Sequence, residues 1–143
     1  MNRYRSMVTC GAAVAFFAAA AHSGAAVRVD RTPPVFAGLL SATTCVPGPV
    51  GGDDRKTSFH LKWTAARDAV TPSSRLVYDV YQAAAPGKEN FAAPTYTTRR
   101  GATTFATPPL SSAVTHYFVV RARDAAGNRD RNRRERPGMN LCV

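Results

Sequence analysis

The chain has 143 residues, which is enough for one domain of ordinary size and too few for two. Nineteen lysines and arginines against nine aspartates and glutamates give a formal net charge of +10, and arginine outnumbers lysine 16 to 3. Alanine, glycine and proline are abundant as well, so we interpret the arginine excess as a compositional bias as much as a functional choice.

The first 26 residues are predicted to be a secretory signal peptide. Arg3 and Arg5 precede a run of small and apolar residues at 8–21, and residues 24–26 offer a small-residue cleavage site. A membrane anchor is the competing interpretation, but this run is shorter than the roughly 18 to 20 apolar residues that span a bilayer. We therefore expect a secreted protein, extracellular or periplasmic, with no membrane span after cleavage.

The rest of the chain is predicted to alternate short strands with loops. Residues 27–34 form a polar approach that ends in T-P-P, a sequence that favours extended backbone over helix. Turn residues separate the following segments, several of which show the period-2 alternation of a half-buried strand. The seven predicted strands are 35–43, 57–64, 75–83, 95–98, 102–107, 115–123 and a last one within 132–143 that Pro137 restricts to an edge or a break.

The strand at 115–123 is the one around which we expect the fold to be organised. It alternates over its whole length and runs into D-A-A-G-N, a sequence that is typical of a tight turn. Such a strand needs a sheet beside it and a second layer over its apolar face.

The alternation also predicts which side chains enter the core. On the strand at 75–83, for example, Tyr78 and Val80 are expected to face inward and Asp79 and Tyr81 outward. The predicted core residues are Phe59, Leu61, Trp63, Tyr78, Val80, Phe105, Leu110, His116, Phe118 and Val120.

Several motifs together resemble a fibronectin type III domain of the bacterial kind. They are D-R-T-P-P at 30–34, F-H-L-K-W at 59–63, V-Y-D-V-Y at 77–81, the corner residue Leu110, and F-V-V-R-A-R-D-A-A-G-N at 118–128. The similarity extends over essentially the whole chain after the leader. It implies a sandwich of a three-stranded and a four-stranded sheet, usually non-catalytic, that serves as a spacer, adhesive or accessory unit of extracellular proteins.

His116 departs from the pattern of this family. The family normally carries a tyrosine six residues after the corner leucine, and its hydroxyl bonds back to the backbone upstream. His116 stands in this place, and an imidazole N–H can make a similar bond. We therefore expect a structural histidine, with a catalytic or pH-sensing role as the alternative.

Cys45 and Cys142 remain when Cys10 is removed with the leader, and an even pair in an oxidising compartment indicates one disulfide. Every second strand in the predicted order finishes at the same end of the sandwich. Cys45 lies just past the first strand and Cys142 at the end of the seventh, so the two cysteines are expected to meet there. The disulfide would close nearly the whole domain, which the chain-entropy model credits with about 4 to 5 kcal/mol. A pair at this spacing without a nearby histidine motif does not make a zinc site, so no metal is predicted.

The same alternation of strand direction predicts that the loops at 65–74, 99–101 and 124–131 lie together at the opposite end of the sandwich. Their arginines are Arg67, Arg99, Arg100, Arg129 and Arg131. We therefore predict a basic end that suits an acidic polysaccharide, lipid headgroups or an acidic protein surface. Asp68, Asp124 and Asp130 lie in the same loops, so a solvated end without a ligand is the alternative.

Motifs of enzymes and of nucleic-acid-binding proteins are absent from the sequence. It contains no G-x-S-x-G elbow, no H-E-x-x-H and no glycine-rich phosphate loop. His60 is predicted to face solvent, and no aromatic residues alternate with the arginines to stack on bases. We therefore expect no enzymatic activity, no cofactor and no nucleic-acid partner.

The strand pattern and the resemblance together predict an all-β, seven-stranded immunoglobulin-like sandwich of the fibronectin type III kind. Residues 1–26 are the signal peptide, 27–34 the extended segment and 35–143 the domain. The predicted function is that of a secreted interaction or scaffold module that contacts a protein or polysaccharide through its loops and surface. The alternatives are a polyanion- or envelope-carbohydrate-binding domain that uses the basic end, and an enzyme with an unrecognised site.

Overall fold

The computed structural model of the chain describes residues 29–44 and 56–139. Their regular structure is β apart from one short 3-10 turn at Ser73–Arg75. The strands in chain order are β1 (Leu39–Thr43), β2 (Lys56–Thr57), β3 (His60–Trp63), β4 (Val77–Ala83), β5 (Tyr96–Thr97), β6 (Thr104–Ala106), β7 (Leu110–Ser111), β8 (Tyr117–Arg123) and β9 (Arg136–Pro137). The predicted all-β class is confirmed.

The strands form three antiparallel sheets. The larger two have the orders β1-β3-β6 and β5-β4-β8-β9, and β2 pairs with β7 in a small third sheet. β4 and β8 are the central pair of the four-stranded sheet and stay in register from Val77 opposite Arg123 to Ala83 opposite Tyr117. Both strands are rich in valine and aromatic residues, which favour extended backbone on a pleated surface. The strand predicted at 115–123 is therefore a central strand.

One hydrophobic core is shared by the two larger sheets. Trp63 of β3 packs against Tyr78 of β4 with ring centroids 5.2 Å apart, and Phe59 packs against Phe118 of β8 at 5.4 Å. Burial of these apolar surfaces against one another is the main stabilising contribution in such an arrangement. Eight of the ten predicted core residues are buried, and two are partly buried against the cluster, namely Phe105 and Leu110. Two sheets around one core are compatible with a β-sandwich.

The opposite face of the four-stranded sheet is also buried, which differs from the sequence prediction. Asp79 and Tyr81 were expected to face solvent, but they are 0% and 1% exposed. Phe91, from the β4–β5 connection, packs on Tyr81 with ring centroids 5.1 Å apart. Alternation assigns a side chain to one face of a sheet but does not tell whether a distant segment covers that face. The predicted exposure was wrong for this reason.

The strand predicted at 57–64 is divided between two sheets. β2 pairs with β7, whereas β3 pairs with β1 and β6. Between them the Phe59 N–H donates to the Thr107 hydroxyl at 2.9 Å, and the Thr107 N–H donates to the Phe59 carbonyl at 3.0 Å. The chain therefore changes its pairing partner within a segment whose alternation is unbroken.

β9 is a two-residue strand that pairs with β8 at the edge of the four-stranded sheet. Pro137 lies in this strand, opposite Tyr117. A proline has no N–H to donate, so an edge, where one side of the strand has no neighbour in the sheet, is the position in which it costs least.

Candidate functional site

Loops from both large sheets converge at one end of the domain. The β5–β6 turn is anchored to the β3–β4 loop, since the Gly101 N–H donates to the Leu76 carbonyl at 2.8 Å. The hairpin after β8 joins the same loop through the Ala125 N–H and the Thr71 hydroxyl, 3.3 Å apart. The end that we name the loop pole consists of residues 64–76, 98–103, 124–131 and the approach segment 29–35.

The approach segment joins the loop pole by backbone pairing. Val35 and Arg67 exchange two backbone hydrogen bonds, of 2.7 and 3.0 Å, in an isolated antiparallel bridge. The two prolines just before Val35 keep this segment extended. Asp30 and Asp68 are therefore carried on neighbouring segments.

The arginines predicted to form a basic contact have two different environments at the loop pole. Arg129 donates through Nε to Oδ2 of the buried Asp79 at 2.7 Å, so it is used within the fold. The other four are exposed and form no ion pair with a carboxylate in the part of the chain that the structure describes; these are Arg67, Arg99, Arg100 and Arg131.

A cavity of ≈ 270 Å³ opens at the loop pole between Arg75, Arg100 and Arg123. Only Arg100 belongs to the predicted contact residues. The alternation of β8 places Arg123 on the outer face of the sheet, and this signal could have identified it. Arg75 was assigned to the start of a strand, whereas it ends the 3-10 turn Ser73–Arg75 and lines this cavity.

Asp79 is a buried carboxylate held by two arginines. Arg123 binds it through Nε–Oδ2 and Nη2–Oδ1 contacts of 2.9 and 3.1 Å, and Arg129 adds the contact of 2.7 Å. The Thr97 hydroxyl donates to Oδ1 at 3.0 Å. Burial by itself raises the pKa of Asp79, but the hydrogen bonds from Arg123 and Arg129 outweigh it and hold this pKa below its ordinary value. The ionised carboxylate therefore ties β4, β5, β8 and the hairpin together.

Cationic and aromatic side chains are stacked on the outer face of the four-stranded sheet. The guanidinium carbon of Arg121 lies 3.7 Å from the Phe91 ring centroid and 5.6 Å from that of Tyr81. The guanidinium carbon of Arg133 lies 5.2 Å from the Phe91 centroid. Burial lowers the pKa of Arg121 from its ordinary value. Attraction between guanidinium groups and ring faces means that these arginines stabilise the fold. They were not predicted as functional residues from the sequence.

His116 forms hydrogen bonds through both ring nitrogens. Nδ1 lies 3.1 Å from the side-chain nitrogen of Gln82, and Nε2 lies 2.9 Å from the Ser111 carbonyl oxygen. An amide nitrogen can only donate and the Ser111 carbonyl oxygen can only accept, while the amide oxygen of Gln82 accepts from the Tyr96 hydroxyl at 3.0 Å. Nδ1 is therefore the acceptor, and Nε2–H donates to the backbone upstream. This buried ring has the environment of a structural histidine.

Three carboxylates from distant parts of the chain meet at the loop pole. One oxygen each of Asp30, Asp68 and Asp124 lies within 4.8 Å of the other two. Asn128 donates to both oxygens of Asp124, from its backbone at 2.8 Å and from its side chain at 2.7 Å. Oδ2 of Asp30 and Oδ2 of Asp68 are buried and have no hydrogen-bond partner in the described part of the chain. This cluster was not predicted from the sequence, because Asp30 was noted only as part of D-R-T-P-P.

Comparisons of the chain with protein-family models, with curated proteins and with solved structures find no match. Across residues 29–44 and 56–139, no helix has the length and apolar character needed to cross a membrane. Cys45, Cys142 and the predicted signal peptide lie outside the described residues, so the disulfide and the leader stay predictions.

Proposed function

We propose that the chain is a secreted, non-catalytic module of the fibronectin type III kind that acts as an interaction or scaffold unit. The observation that carries the proposal is the combination of a three-stranded and a four-stranded sheet around one core. These are the sheet sizes that the resemblance implies. The bond from His116 to the Ser111 carbonyl adds support, because it takes the place of the family's tyrosine bond.

The loop pole is the surface that we propose for contact with a partner. Its loops are anchored to each other by backbone bonds and to the four-stranded sheet through Asp79 and Arg129. Residues that bind partners are commonly found on loops that a rigid scaffold positions. Exposed arginines at such a surface attract acidic partners and accelerate association.

Binding of a polyanion or an acidic envelope carbohydrate is the second candidate function. It is favoured by four exposed arginines of the pole that form no ion pair with a described carboxylate, namely Arg67, Arg99, Arg100 and Arg131. Chromatography on heparin tests this function at about 0.15 M salt, a concentration that largely screens nonspecific electrostatic contacts. We expect retention of the wild-type chain and early elution of the triple variant Arg67→Ser, Arg99→Ser, Arg100→Ser.

The three lysines provide a matched control for this experiment. Lys56, Lys62 and Lys88 are exposed and lie outside the loop pole, so their replacement by serine removes the same charge elsewhere. If the polyanion site is at the pole, the lysine variant stays on the column. Equal early elution of both triple variants would show that net charge alone governs retention and would exclude the site.

Binding to the envelope fraction of the producing cells tests the main proposal. We expect saturable binding of the wild-type chain that the arginine variant loses and the lysine variant keeps. If the partner is a protein, we expect this binding to be lost after protease treatment of the envelope. If it is a polyanion, we expect excess heparin to abolish the binding. Absence of saturable binding in every arm would contradict a module that acts through this surface.

The intact mass of the protein recovered outside the cytoplasm tests the secretory part of the proposal. A chain that starts at residue 27 and weighs two hydrogens less than its reduced form is expected. Thiols of Cys45 and Cys142 that react with an alkylating reagent before reduction would refute the disulfide.

A further inference from the structure

We propose that the three carboxylates of the loop pole form a calcium-binding site. Asp30 comes from the approach segment, Asp68 from the β3–β4 loop and Asp124 from the hairpin after β8. One oxygen of each lies within 4.8 Å of the others. Three oxygens 4.8 Å apart lie about 2.8 Å from their common centre, close to the usual Ca–O distance of roughly 2.3 to 2.6 Å, so a small contraction lets a single ion contact all three residues.

The three carboxylates have no cationic partner among residues 29–44 and 56–139. Like charges at this separation repel one another, and proteins normally pair closely packed carboxylates with a basic side chain or a metal ion. Among the described residues, ion pairs with arginine are formed by Asp79 and not by this cluster. Arg67 directly precedes Asp68, yet its guanidinium group is not paired with it. A divalent cation would supply the missing positive charge.

Two orphaned oxygens point to a ligand independently of the charges. Oδ2 of Asp30 and Oδ2 of Asp68 are both buried, and no described residue donates a hydrogen bond to either oxygen. The other oxygen of each residue is held, since Oδ1 of Asp30 accepts from the Thr32 N–H at 3.0 Å and Oδ1 of Asp68 from the Thr71 N–H at 2.6 Å. Buried oxygens without a donor are unfavourable in a native structure. Here the backbone fixes both carboxylates and leaves one oxygen of each for an ion.

Asn128 positions the third carboxylate and the approach segment. Its side-chain amide donates to Oδ2 of Asp124 at 2.7 Å and to the Asp30 carbonyl at 3.1 Å, and its N–H donates to Oδ1 of Asp124 at 2.8 Å. A carboxylate oxygen that accepts one such bond keeps a second lone pair for a cation. Asn128 therefore acts as a positioning residue for the site.

The chemistry of the donors selects the ion. The cluster contains no histidine or cysteine, the ligands that zinc prefers. Carboxylate oxygens held by loop backbone suit calcium, which accepts irregular geometry, better than magnesium, which requires a regular octahedron. Solvent oxygens complete the coordination. With three protein residues as ligands, the expected Kd is that of extracellular modules, about 10⁻⁴ to 10⁻³ M.

Calorimetric titration of the EDTA-treated full chain with calcium chloride tests the site. We expect one bound ion per chain, and binding at least tenfold weaker for the double variant Asp30→Asn, Asp68→Asn. Glu135→Gln is the control, because it removes one carboxylate that lies outside the cluster and accepts from the Gly87 N–H, and it is expected to bind like the wild type. Wild-type affinity of the double variant, or a loss in the control, would overturn the proposal.

Amide chemical shifts of the wild-type protein locate the ion without any substitution, so they decide the matter even if the double variant does not fold. The N–H groups of Thr32, Thr71 and Asn128 are expected to shift together and to saturate with one Kd, because each donates to a proposed ligand. Unchanged shifts up to about 10 mM calcium would overturn the site. Magnesium binding that is as tight as calcium binding would overturn the choice of ion.

Discussion

Arg129 donates its Nε–H to Oδ2 of Asp79 over 2.7 Å and thereby links the hairpin after β8 to β4. The side chain of Asp79 has no exposed surface, whereas 40% of the Arg129 side chain is exposed. Replacement of Asp79 and replacement of Arg129 therefore leave different groups without a partner. Without Asp79, two guanidinium groups lose their carboxylate, while without Arg129 the carboxylate keeps Arg123.

Replacement of Asp79 by asparagine is expected to destabilise the protein more than replacement of Arg129 by glutamine. Removal of the acidic partner of a buried ion pair costs about 3 kcal/mol or more. Loss of Arg129, whose side chain is 40% exposed, is expected to cost roughly 1 kcal/mol, because solvent screens this arginine and Arg123 still pairs with the carboxylate. Urea unfolding of the two variants measures both values. Equal losses would show that the carboxylate is not the centre of this network.

The contribution of Asp79 to stability is expected to disappear in acid. Burial raises its pKa, but the bonds from Arg123 and Arg129 hold the pKa in the folded state below the ordinary value of 3.8. A lowered pKa stabilises the folded protein above the unfolded-state value, and this contribution is lost as pH falls from 3.8 through the folded-state pKa.

The difference in unfolding free energy between the wild type and Asp79→Asn should therefore stay constant between about pH 7 and pH 5 and shrink at about pH 3. Urea titrations at these pH values measure it. A difference that grows with acidity would contradict the direction of the pKa shift.

Phenylalanine at position 116 is expected to cost about 1 to 3 kcal/mol, because the Ser111 carbonyl and the Gln82 amide each lose a hydrogen-bond partner. His116→Tyr should cost less if the chain has the proposed fibronectin type III fold, in which a tyrosine hydroxyl makes the upstream bond. Differential scanning calorimetry of both variants compares them. A phenylalanine variant as stable as the wild type would mean that the corner bonds do not stabilise the fold.

Gly138→Ala is expected to cost about 1 to 3 kcal/mol by overpacking. A Cβ at this position would lie closer than 3.0 Å to three ring carbons of Phe59. Phe59 is 4% exposed and packs on Phe118, so its ring has little room to retreat. In the double variant with Phe59→Leu, the loss should be smaller than the sum of the two single losses, which guanidinium unfolding can measure. Additive losses of unfolding free energy would show that the new Cβ does not destabilise the protein through the Phe59 ring.

The alternation of apolar residues determined by itself that this chain is all-β and which side chains of β3, β4 and β8 enter the core. Trp63, Tyr78 and Phe118 are buried as predicted, because successive side chains of a strand point to opposite faces whatever the strand pairs with. Strand parity also predicted that the loops with the arginines lie at one end. These properties depend on neighbours in the sequence.

The tertiary structure alone decided what covers each face and which charges meet. Asp79 is buried because Arg123, Arg129 and Thr97 reach it, and Arg121 lies on Phe91 from another segment. The meeting of Asp30 with two aspartates of later loops depends in the same way on contacts between distant segments. The period of a strand carries no information on such contacts, because they arise only when the chain has folded.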